Sequence, residues 1–187
     1  MRHYVCLGLL VGSLWGCGDG VSSDEQARRA YLGLDGSIDK AIQLGFDGFN
    51  AASSANISPQ TTNGNTSGTL TVTGQVDQGS SANKGMRLYT AFVGYSDDAK
   101  LVYATNASAL PALNMQLKGI PTGTMTGTLV GTVGMTGDLT GDVTLNLSFT
   151  STLQAGTGTA VTRKPGTTVI TGTAISAGGT YQVNVTR

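Results

Sequence analysis

From Met125 to Leu153 the apolar side chains fall on odd numbers with little exception: Met125, Leu129, Val133, Met135, Leu139, Val143, Leu145, Leu147, Phe149 and Leu153. The even positions carry mainly Thr, Asp, Asn and Ser. A period of two belongs to a strand with one buried and one wetted face, and no helix accommodates it. The phase also persists through Gly134 to Asp138, so a hairpin turn there keeps both apolar rows on one sheet face.

The same alternation recurs elsewhere. Leu70, Val72 and Val76 alternate with Thr and Gln, Leu113, Met115 and Leu117 alternate with Asn114, Gln116 and Lys118, and Tyr181, Val183 and Val185 complete the series. Met86 to Tyr95 and Leu101 to Tyr103 are apolar at both phases and read as central or helix-covered strands. All 27 threonines lie after residue 60, where β-branched side chains suit a pleated surface. Pro111, Pro121 and Pro165 fall between the strands, where a missing N–H does no harm. The pattern predicts a mainly β domain over 66–187: about eight antiparallel strands in an up-and-down meander, open or closed into a barrel. A transmembrane barrel is disfavoured, because an aromatic girdle is lacking and the chain ends Val185-Thr186-Arg187 rather than in an aromatic residue.

Ahead of the strands, Ser23-Asp24-Glu25-Gln26 fits a capping box that starts a helix. Ala27, Tyr31, Leu34, Ile38, Ala41, Ile42 and Phe49 then recur at helical spacing and predict one amphipathic helix over 23–52, packed on the sheet. Gly33, Gly36, Gly45 and Gly48 each cost about 1 kcal/mol relative to Ala in such a helix, so it either breaks near Gly36 or is compensated by packing. Residues 53–65, rich in Ser, Asn, Thr and Gly, read as a linker.

The N-terminus has the design of an export signal: a short cationic start at Met1-Arg2-His3-Tyr4, then a ten-residue apolar run from Val5 to Leu14. A spanning helix needs about 20 residues, so this run does not serve as one. Leu14-Trp15-Gly16-Cys17 resembles the lipobox of bacterial lipoproteins, with Trp15 departing from the small residue favoured at that position. The resemblance covers only the targeting segment. It implies cleavage before Cys17, acylation of Cys17, a short tether over 17–22, and a place in the bacterial cell envelope. Gly18 after the cysteine favours the outer membrane, with the domain facing the periplasm or the cell surface. Several acyl chains on one residue hold a protein durably to a bilayer.

Cleavage there removes His3, Cys6 and Trp15 with residues 1–16. The remaining chain has no His and one acylated Cys, so neither a disulfide nor a His/Cys metal site is available to it. Ten basic residues then face eleven acidic ones, a charge of 10 − 11 = −1, and the lack of a basic stripe argues against nucleic acid.

Other motifs weigh less. Ser37-Ile38-Asp39-Lys40 matches the S-x-x-K of penicillin-interacting enzymes, and Ser81-Ala82-Asn83 mimics their second motif, but Lys164-Pro165-Gly166 breaks the third. Within the sheet region, Asp97-Asp98 and Asp138 with Asp142 are the close carboxylate pairs, read as turn and solvent-face groups because a calcium site needs six or more oxygens. Rows such as Thr122, Thr124, Thr126 and Thr128 resemble the threonine arrays of ice-binding proteins, without their fixed repeat. Five N-x-[ST] triplets are compositional in a bacterial setting.

These observations lead to a non-enzymatic envelope lipoprotein with a binding or structural role, needing no cofactor, whose partner is the membrane and an envelope protein or small apolar ligand. The alternative is a lipocalin-like carrier with Met86, Phe92, Met125, Met135 and Phe149 lining its interior. An envelope hydrolase built on Ser37 and Lys40 ranks last.

Overall fold

The computed structural model describes residues 20–77, 80–158 and 160–187. The signal segment and Cys17 lie outside the described residues. Two helices, α1 (Asp24–Leu32) and α2 (Asp35–Ala51), precede ten strands. These are β1 (Asn56–Asn63), β2 (Ser67–Val76), β3 (Lys84–Ser96), β4 (Leu101–Ala104), β5 (Ala112–Lys118), β6 (Thr124–Gly137), β7 (Gly141–Ala155), β8 (Val161–Arg163), β9 (Val169–Ser176) and β10 (Gly179–Thr186).

Every pairing is antiparallel, and the sheet runs β1-β2-β3-β4-β6-β7-β9-β10. Ten strands thus occupy eight lanes, and nine of them, β2 to β10, fall within 66–187, where alternation predicts about eight. Short β4 and β5 share one lane: β5 pairs with β3 and β6 at one end, and β4 pairs with the same two at the other. β8 pairs with the last residues of β7, beyond the stretch that β9 takes.

The odd-number phase is realised in the hairpin of β6 and β7. Leu129 faces Leu147 and Val133 faces Val143, so partner numbers sum to an even total and both rows point inward. All ten residues of the row are at most 5% exposed. The turn sits at 138–140, starting at the last residue of the predicted region. One cross-strand row, buried except at half-buried Gly127, crosses the sheet from Met86 through Met115, Gly127, Phe149 and Ile170 to Val185. A parallel one runs Leu88, Leu113, Leu129, Leu147, Gly172, Val183.

The sheet is open, with edges β1 and β10, and the helices lie against both: α1 packs on β10 and α2 on β1 and β2. Ala27, Ala30, Tyr31, Leu34, Ile38, Ala41 and Ile42 are all at most 1% exposed in the same core as the strand rows. Each large aliphatic buried this way contributes roughly 1.5–3 kcal/mol.

Ser23 caps α1, its side chain accepting from the Gln26 N–H, while Gln26 Oε1 reaches back to the Ser22 N–H at 2.7 Å. The predicted single helix divides at Gly33-Leu34, slightly earlier than Gly36. The reason is a tyrosine from β4: Tyr103 Oη donates to the Ala30 carbonyl at 2.8 Å, and a Cβ on Gly33 would meet that oxygen at 2.2 Å. Gly45 and Gly48 let α2 lie close on Met86 and Ile57 respectively, which is the packing that offsets their helical cost.

One expectation is corrected: the segment 53–65 is not only a linker, because it carries edge strand β1, paired with β2 through a register shift between Ile57 and Gln60. β3 and β4 are central strands of the sheet, although Tyr89 is 51% and Val93 69% exposed on the outer face of β3.

Candidate functional sites

Gly20 and Val21, three and four residues after Cys17, are built into the fold. The Gly20 N–H donates to the Thr140 carbonyl at 2.9 Å, in the turn between β6 and β7. The Val21 N–H donates to Ser176 Oγ at the end of β9, and that hydroxyl donates to the Val21 carbonyl. Val21 itself is fully buried. The first described residues therefore sit at one end of the domain, between the turns 138–140 and 177–178.

A second cluster joins the helices to the far part of the sheet. Arg163 of β8 donates to Asp35 Oδ1 at 2.8 Å, to the Asp35 carbonyl at 2.7 Å and to Asp39 Oδ2 at 2.9 Å. Tyr31 Oη donates to the same Asp35 oxygen at 2.6 Å, and Arg187 Nε lies 3.5 Å from Asp35 Oδ2. Burial opposes ionisation of Asp35, but the hydrogen bonds and charge of Arg163 outweigh it and hold the carboxyl below its ordinary range. Burial likewise works against the Arg163 charge, and Asp39 and Asp35 together raise its pKa. Tyr31 is pushed up, first by burial and then by Asp35.

Beside it lies a cleft of about 410 Å³ bounded by Arg29, Gly36, Asp97, Asp98, Lys100 and Arg187. Asp97 accepts from Lys40 at 2.6 Å, from Tyr95 Oη at 2.6 Å and from the Asn65 N–H at 2.8 Å. Burial raises the pKa of Asp97, and these donors, Lys40 first, bring it below the ordinary carboxylate value. The Lys40 ammonium also sits 5.1 Å from the Tyr95 ring centroid. Asp98 caps its own turn, accepting from the Lys100 and Leu101 N–H groups.

The S-x-x-K pair does not converge. Ser37 is 2% exposed and donates to the Leu34 carbonyl, while Lys40 is held by Asp97. Asn83 accepts from the Gly119 N–H and serves a turn. Asp138 pairs with Arg29 at 2.6 Å. Among the described residues no group of three His, Cys, Asp or Glu side chains is placed to hold a metal ion, and no helix is long and apolar enough to cross a membrane.

Met86, Phe92, Met125, Met135 and Phe149 are each at most 2% exposed and belong to the packed core. Phe92 packs against Tyr95 with the rings tilted by 56° and their centroids 5.2 Å apart. Phe149 also borders a depression of about 400 Å³ over Gly127, rimmed by Asn114, Gln116, Thr126, Thr128, Ser148 and Thr150.

Sequence reasoning missed the Arg163, Asp35 and Asp39 cluster. The one available signal was the scarcity of charge: with 12% charged residues, an Asp on the helix's apolar stripe next to Leu34 is an anomaly that a buried partner resolves. No family model, curated protein or solved structure matches this chain.

Proposed function

We propose that the protein is a non-enzymatic lipoprotein of the bacterial cell envelope, outer membrane in particular, held by acyl chains on Cys17 and presenting its β domain for binding or structural contact with an envelope partner. One observation carries the reading: the lipobox-like Leu14-Trp15-Gly16-Cys17 is followed within three residues by a chain fixed into the fold at Gly20. That arrangement suits a domain whose covalent anchor sits at its surface. The commitment of Ser37, Lys40, Asp35 and Asp97 to structural contacts supports a role without catalysis by them.

The carrier reading draws no comparable support, since its lining residues pack against helix and strand. The experiment is intact-mass measurement and membrane fractionation of the native chain and of Cys17→Ser. Expected are a product beginning at Cys17 with added acyl mass in the membrane fraction, and release or misprocessing of the variant. A native product without acyl mass, or a variant that stays on membranes, overturns the reading.

A further inference from the structure

We propose that the end of the domain formed by the turns 138–140 and 177–178 lies against the lipid bilayer, with the opposite loop at 119–123 pointing away from it. The inference rests on acylation of Cys17 and adds a direction to it.

The argument is one of chain length. Cys17 and Gly20 are three peptide units apart, a span of at most about 11 Å when fully extended. Gly20 is tied to Thr140 and Val21 to Ser176, so the exit point is fixed on these turns. β6 carries 14 residues between the 138–140 turn and the 119–123 loop, about 45 Å at strand rise. A tether that short against a body that long cannot bring the far loop to the membrane while the domain stands upright on its exit point.

The surface at this end fits a lipid headgroup layer. Thr140, Ala177 and Gly178 are exposed and uncharged, and Ile175 is 45% exposed on the adjoining face. The charged groups at this end carry both signs: Asp138 pairs with Arg29, its N–H donates to the carbonyl of Lys100 so that exposed Asp98 and Lys100 stand beside it, and Asp142 is exposed as well. Such a mixed surface suits zwitterionic headgroups, and attachment through acyl chains rather than basic residues makes it insensitive to salt.

The test uses the full chain purified from membranes, with acylation verified by intact mass. Thr140→Cys and Thr122→Cys are labelled separately with a thiol-reactive fluorophore, Cys17 being blocked by its acyl chain. Each protein is placed in phosphatidylcholine vesicles containing a headgroup spin-labelled phosphatidylcholine as quencher. The label at position 140 is expected to lose most of its emission and the label at 122 none. Inserting ten Gly/Ser residues after Gly18, a root-mean-square reach of about 16–19 Å, is expected to weaken the quenching at position 140 and so narrow that difference. Equal quenching at the two positions in acylated protein overturns this orientation while leaving the anchor intact. Absence of acyl mass overturns the anchor and the orientation together.

Discussion

Arg163 on β8 and Asp35 at the start of α2 are 128 positions apart in the chain, yet their side chains meet at 2.8 Å in a site where each is no more than 10% exposed. The pair fastens the helical layer to the sheet beyond the reach of apolar packing alone. A buried ion pair is close to neutral as a whole, but removing one member strands the other charge in a low dielectric.

Arg163→Ala is therefore expected to lower the unfolding free energy by about 3–5 kcal/mol. Urea denaturation should show a lower midpoint with an unchanged slope. Adding Asp35→Asn to Arg163→Met should recover part of the loss, because Tyr31 still finds an acceptor and the carboxylate that remains without Arg163, Asp39, is one-third exposed to water. A single variant as stable as the parent would show that the pair contributes nothing.

Acid should act through Asp35 and Asp97, both held below the ordinary carboxylate range. Their folded pKa values lie under the unfolded ones, so the stabilisation is complete above the unfolded value near about 3.9 and is lost as pH falls through the depressed folded values. Unfolding midpoints measured from neutral pH downward should hold steady and then drop below about pH 4. In the double variant Asp35→Asn with Asp97→Asn that drop should be shallower, and an unaltered profile would refute the assignment.

Gly127 stands in the cross-strand row between Met115 and Phe149, where a Cβ would lie 2.5 Å from the Phe149 ring and 2.7 Å from the Asn114 carbonyl. Gly127→Ala is expected to cost about 1–3 kcal/mol through overpacking. Phe149→Leu should rescue part of it, since the ring is one of the two obstacles and the backbone oxygen is the other. Non-additive free energies in the four-member cycle are the measurement, and simple additivity would show that the ring and the glycine do not compete for space.

What could be read from the chain follows the range of the interactions involved. The β6–β7 hairpin was legible because its register depends on parity: Leu129 and Leu147, or Val133 and Val143, need only matching phase and a turn between them. The start of α1 was legible because Ser23 and Gln26 cap it within one turn. β1 was hidden because Asn56–Asn63 is polar and contains Pro59, tolerable only on a sheet edge that the sequence does not announce. The exposure of Tyr89 and Val93 was hidden too, since apolar residues at both phases look the same whether or not a layer covers them. Of the candidate sites, Cys17 stands out as a motif. The fastening of Gly20 to Thr140 is a contact between backbone atoms 120 positions apart, and no pattern of side chains records it.

The five residues proposed as a ligand lining separate core from cavity by their own energetics. Phe92 and Met86 are each at most 2% exposed, Phe92 against the Tyr95 ring and Met86 beneath Gly45 of α2. Truncating a packed side chain forfeits its transfer energy and leaves a void, about 3–5 kcal/mol for Phe→Ala and 2–5 for Met→Ala. A side chain lining an occupied cavity behaves differently once the ligand is stripped, because the void exists already and truncation only enlarges it. Phe92→Ala and Met86→Ala, compared in urea after delipidation and extraction with organic solvent, are expected to lose stability across the full packed-core range. Losses within about 0.5 kcal/mol of the parent, the size of a surface change, would point instead to an interior built to hold a guest.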